Sequence, residues 1–109
     1  MEVKAVVFAG TSLDDLKQFP QEAKREAGYQ IDRVQRGLMP SDSKPMASIG
    51  AGVREIRIRD GSGAFRIIYV ASLPGAIFVL HAFQKKTQAT PKRDLALAAT
   101  RLMGLLRRS

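Results

Sequence analysis

A chain of 109 residues with formal net charge +8, 45% hydrophobic and 26% charged residues, one histidine and no cysteine has the composition of a globular protein and the length for a single domain spanning residues 1–109. Without cysteine there are no disulfides, no thiolate catalysis and no thiolate zinc site; with one histidine and no DxDxDG loop, neither a metal nor any other cofactor is expected. No apolar run nears the roughly 18 residues of a membrane-spanning helix, and the N-terminus lacks a secretory pattern, so no membrane contact and a cytoplasmic location are expected.

In chain order, VKAVVF (3–8) reads as a short strand from its β-branched content. GTSLDDLKQF opens a helix with Ser12 as N-cap and Asp14 and Asp15 in the first turn, where the helix dipole favours negative charge. Pro20 ends that helix and starts the next. There Ala23, Ala27, Ile31 and Val34 form an apolar stripe, and Gly37 terminates it. Residues 38–52, with two prolines, three serines and two glycines, show no sustained period and read as a loop.

Three strands follow: VREIRIR (53–59), AFRIIYVA (64–71) and AIFVLHAF (76–83), joined by the turns DGSG and SLPG. Hairpin-length, turn-rich connections predict an antiparallel meander. In the first strand Arg54, Ile56 and Ile58 share one face, and Glu55, Arg57 and Arg59 the other. Adjacent Ile67 and Ile68 predict a middle strand buried on both sides. Thr90 as N-cap and Pro91 at the first helical position then begin an amphipathic helix carrying Leu95, Ala98, Ala99, Leu102, Leu105 and Leu106. The predicted order is β-α-α-β-β-β-α.

The charge is unevenly placed. Residues 1–50 hold seven Lys/Arg and seven Asp/Glu, whereas residues 51–109 hold eleven and three, so the whole excess lies in the second half. This points to a polyanionic partner, nucleic acid first; a basic face that only keeps the chain soluble is the alternative. The meander gathers the cations: Arg57 and Arg59 on its first strand, Arg66 on the next, Lys85 and Lys86 where the third leaves the core. Strands about 4.8 Å apart let these side chains converge on a patch one or two phosphates wide.

The hairpin EIR…RIIY and the segment FQKKTQATP, followed by an Ala- and Leu-rich helix, resemble the HigB branch of the RelE superfamily, the toxins of bacterial type II toxin–antitoxin pairs, phage-related members included. The resemblance is good over about residues 53–106 and looser over the N-terminal helices. It implies an α+β, RelE-like fold with a twisted antiparallel sheet packed by helices. The activity implied is that of an endoribonuclease that cleaves mRNA on the ribosome, with an antitoxin, often of helix-turn-helix type, as partner. By position, Arg66 matches the family's hairpin arginine, Arg57 and Arg59 match basic positions on the preceding strand, and Lys86 lies near a basic position after the last strand.

For the chemistry, Arg66 suits charge stabilisation on a phosphate, with Arg57 beside it. A general base requires Lys86 or Lys85 with a depressed pKa. Arg59, Lys85, Arg54, Lys92 and Arg93 are expected to bind RNA. Part of the superfamily uses a tyrosine or histidine near the C-terminus; after Lys86 this chain has neither. Tyr69 and His81 are the substitutes, and both read more naturally as core residues. A noncatalytic nucleic-acid- or ribosome-binding module on the same fold, or an inactive relic, is the alternative to the nuclease; a basic sheet that only docks an acidic partner is a third reading.

Overall fold

The computed structural model describes residues 3–108. Its elements are β1 (Ala5–Phe8), α1 (Ser12–Lys17), α2 (Gln21–Gln35), β2 (Ser43–Pro45), β3 (Val53–Asp60), β4 (Gly63–Val70), β5 (Ala76–Lys85) and α3 (Lys92–Arg108). They build an α+β fold, compatible with the RelE-like architecture, in which three helices pack a five-stranded sheet of order β1-β5-β4-β3-β2.

The sheet departs from the expected antiparallel meander in two places. β1 pairs with β5 in parallel, which makes the sheet mixed; strand direction is set by the path of the chain between the two and leaves no mark in β1's own four residues. β2 lies inside the segment expected to be a loop and pairs antiparallel with β3. Three residues, Ser-Lys-Pro, are too few to show a period, and Pro45 is tolerated because the strand is an edge.

The expected stripe of α2, Ala23, Ala27, Ile31 and Val34, is buried, with Leu16, Phe19, Ile56, Ile58, Phe65, Ile67 and Tyr69, in a core on one face of the sheet. On the other face α3 sets Ala98 and Leu102 against Val53, Ile68, Val70 and Leu80. β4 is buried from Phe65 to Val70, as the adjacent isoleucines required. Gly37 ends α2 in the left-handed conformation (φ 82°). The amide of Leu38 there reaches the Arg33 carbonyl and that of Gly37 the Val34 carbonyl, a closure that glycine makes inexpensive.

Two cap assignments change. Ser12 begins α1 rather than preceding it, and its buried hydroxyl donates to the Val79 carbonyl at 3.2 Å, tying α1 to β5. α3 starts at Lys92, with the Asp94 and Leu95 amides turned onto the Pro91 carbonyl; the Thr90 hydroxyl points elsewhere, to Glu55. Among the described residues no helix is long and apolar enough to cross a membrane.

β4 and β5 slip register between Ile68 and Tyr69: Tyr69 opposes Val79, Ile68 opposes His81, and Leu80 is skipped. Such a bulge re-aims the side chains beyond it. Val79 belongs to the core against α2, Leu80 to the core against α3, and His81, Phe83 and Lys85 follow Leu80 onto the α3 face. In a regular strand Val79 and Lys85 would share a face.

A candidate nucleic-acid interface on the sheet

Opposed residues of an antiparallel pair project to the same face, so register arranges the α3 side of the sheet in rows. Arg59, Ala64 and Lys85 make one, Arg57, Arg66 and Phe83 the next, and Lys44, Glu55, Ile68 and His81 the third. Strand spacing of about 4.8 Å and a repeat of roughly 6.8 Å between rows place five cations, Lys44, Arg57, Arg59, Arg66 and Lys85, within reach of one another.

The centre of this face is buried. Arg66 is 5% exposed and Glu55 is wholly buried. Arg66 Nε lies 3.5 Å from Glu55 Oε1, and its Nη1 donates to the Phe65 carbonyl at 3.0 Å. The other Glu55 oxygen, Oε2, accepts the Thr90 hydroxyl at 2.9 Å. Arg57, Arg59 and Arg66 line a recess of about 100 Å³, with Asp42 at its side. Buried Arg57 Nε has no hydrogen-bond partner among the described residues. A guanidinium cluster around a hollow of that size matches one phosphate group.

Burial lowers the Arg66 pKa, against the pull of Glu55, and the charges of Arg57 and Arg59 lower it further. Lys85 is displaced the same way: burial lowers its pKa first and the Arg66 charge second, while Glu55 opposes both. An ammonium crowded by guanidinium groups gives up its proton more readily than an isolated one.

The expected site residues divide clearly. Arg57, Arg59, Arg66 and Lys85 come together. Lys86 lies one residue beyond β5 and is exposed, with no hydrogen bond or ion pair to the cluster among the described residues. Arg54 opposes Tyr69 on the α2 face and donates from Nη2 to Ser43 Oγ at 3.0 Å. Strand alternation separates it from the other arginines, so it does not belong to this patch. Lys92 and Arg93 are exposed in the first turn of α3, outside the rows.

Tyr69 is buried in the α2-side core, where burial raises its pKa and Arg54 opposes the rise; it does not face the cations. His81 is buried, as expected of a core residue, and is also held: Nε2 lies 2.6 Å from Asp94 Oδ1, the ring stacks on Phe83 at 5.1 Å, and Arg101 Nη1 reaches the Leu80 carbonyl at 2.9 Å. This group pins α3 to β5. Lys44 escaped the sequence reading because β2 was not visible, and Glu55 was given no role there. The one available signal was that Glu55 shares its alternation face with Arg57.

Among the described residues no group of three or more His, Cys, Asp or Glu side chains lies together to hold a metal ion. The family described as phage derived protein Gp49-like (DUF891) matches residues 14–103, a span that includes the whole cationic face. No curated protein matches the chain.

Proposed function

The chain belongs to the phage-derived Gp49-like family, which is of RelE/HigB-like toxin type, and on that premise we propose that residues 1–109 form the toxin of a type II toxin–antitoxin pair, a metal-independent endoribonuclease that cuts mRNA on the ribosome. The observation that carries the reading is the convergence of Arg57, Arg59 and Arg66 around a phosphate-sized recess, with Lys85 brought onto the same face from β5. Its natural antagonist is an antitoxin, of helix-turn-helix type, that covers this face.

The chemistry follows from the groups present. The ribose 2′-oxygen attacks the adjacent phosphorus as the bond to the 5′-oxygen breaks, leaving a 2′,3′-cyclic phosphate and a 5′-hydroxyl. Negative charge grows on the nonbridging oxygens, where the Arg57 and Arg66 guanidinium groups would receive it. Lys85, its pKa lowered by burial and by Arg66, takes the 2′-hydroxyl proton; it replaces Lys86 as the better-placed lysine. The proton acquired by the 5′-oxygen comes from Lys44 or from water.

A second reading keeps the face and removes the chemistry: a noncatalytic RNA- or ribosome-binding module. It is favoured by the positions of Tyr69, buried on the opposite face, and His81, engaged by Asp94. Purified protein incubated with programmed ribosomes separates the two. The nuclease yields fragments ending in cyclic phosphate, lost in Lys85→Ala; the binding module gives a salt-sensitive complex with intact mRNA.

A further inference from the structure

Glu55 has no part in the reaction above. It is wholly buried, beyond the reach of a substrate, yet it is the only carboxylate in the three rows of the face. Its oxygens face two different elements. Oε2 accepts from Thr90, in the segment leading to α3, at 2.9 Å. Oε1 faces Arg66 Nε at 3.5 Å, and neither of these two atoms has a hydrogen-bond partner among the described residues.

Stability is a weak reason for this arrangement. Desolvating two charges costs about as much as their attraction returns, and apolar replacements of similar volume are often neutral or better. Orientation is a stronger one. Arg66 turns Nη1 to the Phe65 carbonyl and Nε to Glu55, which leaves Nη2 free of both. The same guanidinium lines the recess shared with Arg57 and Arg59.

We propose that Glu55 is a positioning residue: the Thr90 hydroxyl orients its carboxylate, and the carboxylate fixes the Arg66 guanidinium so that Nη2 meets a phosphate oxygen in the recess. This rests on the reading of the face as an RNA-cleaving site. It also couples that site to the segment between β5 and α3, residues 86–91, because Thr90 belongs to that segment. A displacement there releases the carboxylate and with it the arginine.

Glu55→Gln keeps the shape and removes one negative charge, and its two expected effects have opposite signs. A face made more positive binds RNA at least as tightly, whereas a guanidinium that has lost its guide stabilises the transition state less well. Single-turnover cleavage of a synthetic mRNA on programmed ribosomes, measured across protein concentration, reads both. The expected result is a maximal rate about 10- to 100-fold lower with half-saturation unchanged or at lower concentration. A maximal rate within about twofold of the parent overturns the proposal, as does a joint loss of rate and affinity that tracks the folded fraction. If Glu55→Gln does not fold, Thr90→Val decides, because it leaves both charges in place: about a tenfold lower rate supports the relay, and an unchanged rate overturns it. Absence of cleavage by the parent protein would sink the nuclease reading itself. Cleavage that is lost in Lys85→Ala and kept in Glu55→Gln would sink the positioning role alone.

Discussion

Replacing Arg66 by alanine tests how the buried centre of the face is held. Its side chain is 6% exposed and that of Glu55 0%, so truncation strands a carboxylate where water does not replace the lost partner. Removing one member of a buried pair costs about 3–5 kcal/mol. A chain of 109 residues has a total stability of roughly 5–16 kcal/mol, so the loss is a large share of it. At about 4 °C per kcal/mol for this size, Tm falls by about 12–20 °C. Acidification, which neutralises a stranded carboxylate, recovers part of the loss. The double variant Glu55→Leu/Arg66→Met removes both charges and keeps the volume, and should unfold within about 1 kcal/mol of the parent or later. Urea denaturation at neutral and mildly acidic pH, with m compared across variants, supplies the numbers. An Arg66→Ala loss under about 1 kcal/mol, or a double variant no better than the single, would refute this view of the pair. The result also sets a rule for activity work, since Arg66→Lys, which leaves Glu55 a counter-charge, separates chemistry from folding better than Arg66→Ala.

Three further outcomes are expected. Lys85→Ala lowers cleavage by about 10²–10⁴-fold, the usual contribution of a general base, while Lys86→Ala changes it by less than about tenfold; equal effects would remove the distinction drawn from the bulge. In the pH–rate profile the rising limb, which reports loss of the Lys85 proton, lies below the ordinary lysine value, because burial and the Arg66 charge favour neutral Lys85 and Glu55 opposes them. Glu55→Gln removes the opposing charge and moves that limb to lower pH, and a move to higher pH would be the wrong sign. Gly10→Ala destabilises by about 1–3 kcal/mol in a denaturant titration, since Gly10 has φ 54° and an added Cβ would lie 2.5 Å from Arg101 Nε; a neutral outcome would show that the Arg101 clamp on β5 yields freely.

Much of this architecture was legible because the signals were local. The α2 stripe, the two hairpins, the doubly buried β4 and the amphipathic α3 each follow from a period or a turn within a dozen residues. Arg57, Arg59 and Arg66 were placed together by alternation and hairpin pairing alone. Lys85 joins them through the skip at Leu80, which no alternation count reveals; in a regular strand it would point towards α2. Lys44 was hidden because β2 is strand only by virtue of lying against β3. The hydrogen bond that buried Glu55 accepts comes from Thr90, 35 residues away, which no local pattern reveals. Arg54, by contrast, was separable from the sequence, since it shares the face of Ile56 and Ile58.

The most direct test of the nuclease reading is a map of new mRNA 5′ ends in a bacterial host expressing the chain, compared with Arg66→Lys and Lys85→Ala at matched folded levels. Growth arrest accompanied by cuts in a fixed phase with the codons, absent in both variants, is the expected result. Well-expressed, folded protein that produces neither cuts nor arrest would contradict it and leave the cationic face as a binding surface.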